Sequence, residues 1–376
     1  MQECETGKAN RKGSKRRRAR EHFLRTFFIA AALLLTLCGA AVFFVDPFFH
    51  YHAPWFGLKA VQADKEYQVP GALDHLAYDS LIVGSSVVEN NDNTWYDESF
   101  DCTTIKAVRS YGATADLCWF LDRADETHPN LKYVFYNIDP SSLHGIPEPL
   151  FAASGCPMYL YDRNPFNDVE YLFNRTVLFK KIPYMIVKSA GGYDEAKSYN
   201  WWETKTFSEE AARQHFEIPE EIAEEAPEDA DKDKLTANIA LIKAQVTAHP
   251  DTQYYFFFPP YSVLWWDYTY RTGDLSKTLY EEKTCMEELL SFGNVKLFSF
   301  QADPDIVCNL DNYMDGLHFR PEINHQMCEA MAEGRYQILS DQDIDACLDG
   351  IRSNIRSFEK SEQQQPKARH AGAYDA

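Results

Sequence analysis

Hydrophobic residues follow two patterns along most of this chain: short continuous runs, and a recurrence every three or four positions. Short apolar runs bounded by turn residues predict buried strands, and they lie at about residues 80–84, 103–108, 133–138, 253–258 and 295–300. Apolar residues that recur every three or four positions predict helices at about residues 115–123, 234–248, 277–290, 321–337 and 341–358. Strands separated by helices predict an α/β domain with three α/β/α layers and a parallel sheet.

One apolar run is too long for this pattern. Phe27–Val45 contains no charged residue. At about 1.5 Å per residue it can cross a hydrocarbon core of about 30 Å. We therefore predict a transmembrane signal anchor over residues 26–46, with Phe27–Val45 in the lipid bilayer. A cleaved signal peptide is the alternative, although its apolar region is usually only about 7–15 residues long. A lipoprotein site at Cys38 is a further alternative, but Leu37 suits the cleaved bond poorly.

The two flanks of this run predict its orientation. Residues 1–25 are rich in Lys and Arg and predict a disordered basic arm. Aromatic residues, among them Phe48 and Trp55, follow the run on its other side. Positive residues favour the cytoplasm, and aromatic residues gather at membrane interfaces. We expect a single-pass protein of the cell membrane with a cytoplasmic N-terminus and an extracytoplasmic body.

Composition divides the rest of the chain into three parts. An aromatic connector, a long α/β domain, and a C-terminal helix with a disordered polar tail from Lys360 are predicted at residues 47–77, 78–340 and 341–376. Residues 141–235 interrupt the alternation of strands and helices and predict a partly helical insertion. We expect this insertion to overhang the functional site of the α/β domain. Its acidic stretch, Glu217–Asp233, predicts a solvated, mobile loop or helix rather than a metal site.

Charge and cysteine spacing argue against a nucleic-acid-binding protein and against a structural zinc site. The net charge is -20 although the N-terminal arm is rich in Lys and Arg. The rest of the chain is therefore more acidic than the whole and would repel nucleic-acid phosphates. No cysteines are spaced C-x-x-C, and we predict neither a metal site nor a cofactor. Seven cysteines lie beyond the predicted span, an odd number that leaves at least one free thiol; one or two disulfides stay open.

A serine follows the first predicted strand. Leu81, Ile82 and Val83 lead into Gly84, Ser85 and Ser86. Ser86 is thereby placed just beyond the carboxyl end of a strand, where open α/β sheets bind ligands. The simpler alternative is a serine that caps a helix.

A histidine and an aspartate lie more than two hundred residues later. Asp315 and His318 precede Pro321, which favours the first turn of a helix. A three-residue step in a tight turn can present both side chains on one side. A serine hydroxyl needs a base, and the base needs a partner that holds its tautomer. Ser86, His318 and Asp315 provide these three roles.

These residues, in this order and context, resemble the SGNH (GDSL-like) hydrolase superfamily. The sequence is similar to its membrane-anchored branch, which includes DltD-like and other cell-surface acyl-transfer proteins. The stop Pro259-Pro260-Tyr261 after an aromatic strand adds to the likeness. The resemblance implies a flavodoxin-like (SGNH) domain with Ser86 as nucleophile, and Ser85 is the alternative.

The resemblance also implies hydrogen-bond donors for an oxyanion. The family has a glycine after the second strand, which Gly112 matches, and an asparagine after the third. Asn137 is displaced by one position from the family's pattern, and the glycine of that pattern is absent. Asn137 could instead cap the strand end. The displacement favours a two-donor oxyanion hole or a specialised acyl acceptor.

The leading hypothesis is an outward-facing serine esterase or acyltransferase acting on acyl esters of a surface glycan or teichoic acid. A membrane acyltransferase is a candidate partner. The first alternative is a catalytically silent SGNH-like domain that binds such an acyltransferase or polymer, and the second is a purely structural surface protein. Trp201, Trp202, Trp265, Trp266 and Tyr261 could line a glycan cleft, or serve as core residues or membrane anchors.

Overall fold

The chain forms two compact units. The structure, a computed structural model, describes residues 2–216, 219 and 221–364, with side chains from residue 16 to residue 363. Met1–Val61 and Tyr159–Tyr193 form one unit, the helical unit. Gln62–Met158 and Asp194–Ala376 form the other, the α/β unit.

The α/β unit is built on a six-stranded sheet with the order β2-β1-β3-β4-β5-β6. Its strands are β1 Ser80–Gly84, β2 Thr104–Val108, β3 Tyr133–Asn137, β4 Gln253–Phe258, β5 Val295–Ser299 and β6 Gln337–Ile338. Strands β1 to β5 are parallel, and β6 pairs antiparallel with β5. The predicted parallel α/β class is confirmed. Strand β6 was not predicted, because two residues are too few for a recognisable alternation.

Helices cover both faces of this sheet. The helices of the chain are α1 Gln2–Val45, α2 Lys65–His75, α3 Asn93–Phe100, α4 Thr114–Thr127, α5 Val169–Leu172, α6 Ile182–Ala190, α7 Glu209–Gln214, α8 Lys232–Ala248, α9 Val263–Arg271, α10 Leu275–Leu289, α11 Pro304–Val307, α12 Pro321–Glu333 and α13 Asp341–Gln364. On β3, the ring of Phe135 packs against Tyr96 of α3, whereas Tyr136 reaches Cys118 of α4. Consecutive strand residues point to opposite faces, so α3 and α4 belong to different layers.

The N-terminal helix begins earlier than predicted. The basic arm was expected to be disordered, but α1 is helical from Gln2 and continues without a break into the apolar run. Ala, Arg, Lys and Glu are good helix formers, and Arg17 pairs with Glu21 one turn later at 3.1 Å. Residues Arg16–Val45 are long and apolar enough to cross a membrane, and only 6% of the most apolar window is buried. A membrane anchor and a signal sequence both fit this helix.

Two further segments differ from the predictions. The connector 47–77 contains helix α2, which includes Pro70; helix-breaking residues in the sequence concealed it. The C-terminal helix continues past Phe358 to Gln364, and the rest of the predicted tail lies outside the described residues.

The predicted insertion 141–235 is shared between the units. Residues 159–193 belong to the helical unit, and residues 194–235 belong to the α/β unit. The described part of the acidic stretch is tied down rather than free. Ala223 N–H donates to the Arg271 carbonyl and Ala226 N–H to the Gly273 carbonyl, both at 2.8 Å. Residues 217, 218 and 220 lie outside the described residues.

The cysteines whose side chains are described are free thiols. Cys118, Cys156, Cys285, Cys328 and Cys347 are buried, as small apolar side chains would be. Burial raises the pKa of Cys118 and of Cys328 to about 12, which keeps both sulfur atoms protonated and unreactive.

Candidate active site

The predicted serine, histidine and aspartate meet at the carboxyl edge of the sheet. Ser86 Oγ lies 2.8 Å from His318 Nε2, across 232 residues of sequence. His318 Nδ1 lies 2.7 Å from Asp315 Oδ2. The three side chains form one continuous hydrogen-bonded line. This is the arrangement in which a histidine can take a proton from a serine while a carboxylate holds its tautomer.

A closed loop presents His318. Tyr313 and Phe319 form an antiparallel bridge across the loop, and Met314 N–H donates to the His318 carbonyl at 3.1 Å. The fully buried Tyr313 donates its hydroxyl to the Pro260 carbonyl at 2.7 Å, which fastens the loop to the end of β4. The Pro-Pro-Tyr stop therefore helps to position the histidine.

Asp315 is held in its ionised form. Its Oδ1 accepts the backbone N–H groups of Leu317 at 2.8 Å and His318 at 2.7 Å, which leaves Oδ2 for the imidazole. Burial raises the pKa of this carboxyl, but the side-chain and backbone hydrogen bonds outweigh burial, and the net pKa lies below its ordinary value. A carboxylate at Oδ2 favours the tautomer with the proton on Nδ1, so that Nε2 can accept the serine proton.

Ser86, and not Ser85, is hydrogen-bonded to the histidine. The hydroxyl of Ser85 is buried and faces Asp139. Tyr261 also donates its hydroxyl to that carboxylate. Burial raises the pKa of Asp139, and the hydrogen bonds from Tyr261 and Ser85 partly oppose that rise. The alternative nucleophile is thus hydrogen-bonded to Asp139, whereas Ser86 is hydrogen-bonded to His318.

Trp201 was predicted only as one of several cleft, core or anchor aromatics, and it packs on His318. Its ring meets the His318 ring edge-on, with the centroids 5.3 Å apart and the planes at 83°. The backbone N–H of Trp201 donates to Asn90 Oδ1 at 3.1 Å. The other aromatics named with it differ in role, since Trp266 is in the core and Tyr261 binds Asp139.

A buried lysine fixes the loop that carries Trp201. Lys106 of β2 is fully buried, and its Nζ lies within hydrogen-bond distance of four oxygen atoms that share its three N–H donors: the carbonyls of Glu89, Asn91 and Ser198, and Asn200 Oδ1. Glu89 and Asn91 follow Ser86, while Ser198 and Asn200 precede Trp201. Lys106 therefore joins the segment after the serine to the segment that covers the histidine. Sequence reasoning missed it because a lysine in an alternating strand resembles a solvent-facing position.

The predicted oxyanion donors are unequal. In the part of the chain that the structure describes, the Ser86 N–H makes no hydrogen bond, as expected for the first residue of the 3₁₀ turn Ser86–Val88. Asn137 is fully buried; its amide lies close enough to Asp139 to lower the pKa of that carboxyl, but neither amide atom reaches full hydrogen-bond geometry with another described residue. The Gly112 N–H, in contrast, donates to the Arg109 carbonyl at 3.1 Å.

Gly84 keeps these groups close together. A Cβ at this position would lie 2.7 Å from Asn137 Cβ and 3.0 Å from Val88 Cγ2, too near for either to accommodate it without moving. We expect Gly84→Ala to lower the free energy of unfolding by about 2 kcal/mol through overpacking.

Denaturant unfolding of the full-length chain in detergent measures this effect. Gly293→Ala is the matched control, because a Cβ there meets nothing within 4 Å. Equal stability of the two variants would mean that the strand end can widen without cost.

One cluster elsewhere has metal-ligand chemistry. Ligand atoms of His144, Asp231 and Glu281 lie within 4.8 Å of one another. Each pairs with protein groups, however: His144 Nδ1 with Glu281 Oε2 at 2.8 Å, and Asp231 with Lys234 at 2.9 Å and Lys277 at 3.3 Å. These ion pairs already satisfy the ligand atoms of the cluster, so it is better explained as an ion-pair network.

Comparison with known proteins adds a distant likeness. No protein-family model and no curated protein matches this chain. A solved structure from Streptococcus pneumonia, provisionally named as a platelet activating factor, is similar at a TM-score of 0.37 with 12% sequence identity, covering 72% of this chain and 90% of that chain. A likeness at this level supports no argument about activity.

Proposed function

We propose that this chain is a membrane-anchored, SGNH-like serine esterase or acyltransferase. The observation that carries the proposal is the line Ser86 Oγ–His318 Nε2–Asp315, with hydrogen bonds of 2.8 and 2.7 Å. Serine hydroxyls become nucleophiles when a base is within such reach and is itself oriented by a third group. The nearby carboxylate of Asp139 is hydrogen-bonded to Ser85 and Tyr261, and we do not assign it as a base for Ser86.

The proposed reaction proceeds through an acyl-serine. His318 Nε2 takes the proton of Ser86 while Oγ attacks the carbonyl carbon of an ester. The Ser86 N–H and the Asn137 amide stabilise the resulting oxyanion. His318 then donates the proton to the departing alcohol, which leaves the acyl group on Oγ. A water molecule or an acceptor hydroxyl attacks that ester next, and its proton returns through His318 to Ser86.

The substrate class follows from the membrane-anchored resemblance. We propose acyl esters of a surface polysaccharide or teichoic acid, with the anchor oriented so that the α/β unit lies outside the cytoplasm. Trp201 supports a carbohydrate substrate, since aromatic side chains at a site edge can stack on sugar rings. A membrane acyltransferase would be the partner that supplies or receives the acyl group.

Labelling with a fluorophosphonate probe tests the nucleophile. Full-length protein in detergent would be treated with the probe, digested, and the modified peptide identified by mass spectrometry. We expect modification at Ser86. Modification at Ser85 would transfer the nucleophile to the other serine. A folded protein that takes no label would contradict the esterase proposal.

A second candidate function is a catalytically silent domain that binds a membrane acyltransferase or a polymer. The engaged Gly112 N–H favours it, because the family's second oxyanion donor is turned to the Arg109 carbonyl. Retention of the full-length protein on immobilised teichoic acid or polysaccharide, without probe labelling, would support this candidate over the esterase.

A further inference from the structure

The helical unit has an apolar surface outside its long helix. We call residues 166–188 the side segment; it contains α5, a π-helical turn at Val177–Lys181, and most of α6. Large hydrophobic side chains along it are exposed: Phe166, Phe173, Phe179, Tyr184, Ile186 and Val187. Phe179 is 73% exposed and Val187 69%, which is unusual for side chains of this size in water.

The side segment is apolar on its inner face as well. Val177, Ile182 and Met185 are buried. A surface helix of a soluble domain normally has one apolar stripe and one polar face. Large apolar side chains on the outer side as well indicate that this side meets an apolar environment, either protein or lipid.

Contacts within the helical unit hold this segment along α1. The Phe173 ring lies against Gly39, where an added methyl carbon would be 3.7 Å away. Gly39 is six residues before Val45, or about 9 Å along the helix axis. The side segment therefore reaches back beside the apolar run of α1.

Polar contacts secure this arrangement at the end of α1. The buried Tyr171 donates its hydroxyl to Asp46 Oδ1 at 2.7 Å. Asp168 accepts the Tyr51 hydroxyl at 3.1 Å and pairs with His50 at 3.1 Å. The position of the side segment on α1 is thus specified by buried hydrogen bonds as well as by apolar contact.

Charge distinguishes a lipid surface from an acidic protein partner. Basic residues outnumber acidic ones in the side segment: Arg175, Lys180, Lys181 and Lys188 are set against Glu170 and the buried Asp168, although the whole chain has a net charge of -20. Lysines that flank exposed Phe and Val side chains are typical of helices lying in a membrane interface, where anionic headgroups attract them.

We infer that the side segment is a second membrane contact, which lies in the bilayer interface with Phe179 and Val187 inserted and the lysines at anionic headgroups. This inference rests on the membrane anchoring proposed above and not on the esterase chemistry. It makes the helical unit a two-point attachment: α1 crosses the bilayer, and the side segment lies on its surface beside the end of α1.

Site-specific photocrosslinking tests the contact. p-Benzoylphenylalanine would replace Phe179 or Val187 in the full-length chain, reconstituted in vesicles of phosphatidylcholine alone or of equal parts phosphatidylcholine and phosphatidylglycerol. Leu34 of α1 would report the anchor, and Leu339 of the α/β unit, 72% exposed, would be the matched control. We expect lipid adducts at Leu34, Phe179 and Val187 well above those at Leu339.

The adducts also test the charge argument. Replacing Lys180, Lys181 and Lys188 together by glutamine should lower phosphatidylglycerol adducts at Val187 by about threefold or more, with adducts at Leu34 unchanged. Adducts at Leu34 without adducts at Phe179 and Val187 would overturn the inference while leaving the anchor intact. No adducts at any of these positions would contradict the anchor itself. Crosslinks from position 179 to protein instead of lipid, or lipid adducts at Leu339 equal to those at Phe179 and Val187, would also overturn the inference of a second membrane contact.

Discussion

Ser86→Ala is expected to lose ester turnover by about 10³-fold or more, and His318→Ala by a similar factor. Alanine at position 86 removes the attacking oxygen. Alanine at position 318 removes the base that lies 2.8 Å from this oxygen, the one hydrogen-bond partner of the Ser86 hydroxyl among the described residues. Because the two side chains act as a unit, the double variant should be no worse than either single one. The measurement is hydrolysis of a chromogenic acetyl ester by full-length protein in detergent.

Two control variants separate chemistry from folding. Ser85→Ala removes the neighbouring hydroxyl, which faces Asp139 rather than His318, and should retain most of the turnover. His325→Ala removes a half-exposed imidazole that stacks on Trp95, and should leave turnover unchanged. Turnover that survives in Ser86→Ala but is lost in Ser85→Ala would show that the assigned nucleophile is wrong.

The sheet could be predicted because each central strand is a short apolar run that differs sharply from its flanks. The Ser86–His318–Asp315 line could be predicted because its parts are local: Gly84 and two serines follow one strand, and Asp315 and His318 share a single turn. The turn itself does much of the positioning, since backbone N–H groups at Leu317 and His318 already bind Asp315.

Other parts of the site depend on contacts that no local pattern contains. Trp201 lies against His318 because Asn90 and Lys106 bind the segment that contains Trp201, which is about a hundred residues away from them in the sequence. Gly112 stands where the sequence resemblance implied an oxyanion donor, but its N–H donates to the Arg109 carbonyl, and this depends on backbone direction rather than on residue type. The division of the insertion between the two units likewise reflects tertiary packing, because the side segment packs on α1, which is more than one hundred residues earlier in the sequence.

Lys106→Met is expected to lower the free energy of unfolding by about 3–5 kcal/mol. The methionine retains the length of the side chain but strands four oxygen acceptors, which belong to Glu89, Asn91, Ser198 and Asn200. Burial lowers the pKa of Lys106 to about 7, so part of this loss is offset by removing a buried charge.

Lys106→Met should also lower ester turnover. Release of Ser198 and Asn200 frees the loop that places Trp201 on His318, so ester turnover should fall by about tenfold even at temperatures where the variant stays folded. Lys132→Met is the matched control, since this lysine is half exposed and its side chain pairs with Asp79 and the Asp101 carbonyl on the surface; its unfolding midpoint and turnover should stay close to wild type. Denaturant unfolding and ester turnover in detergent measure both effects. If Lys106→Met were destabilised with full turnover in its folded fraction, Lys106 would be a structural residue of β2 alone, and the position of Trp201 would have another cause.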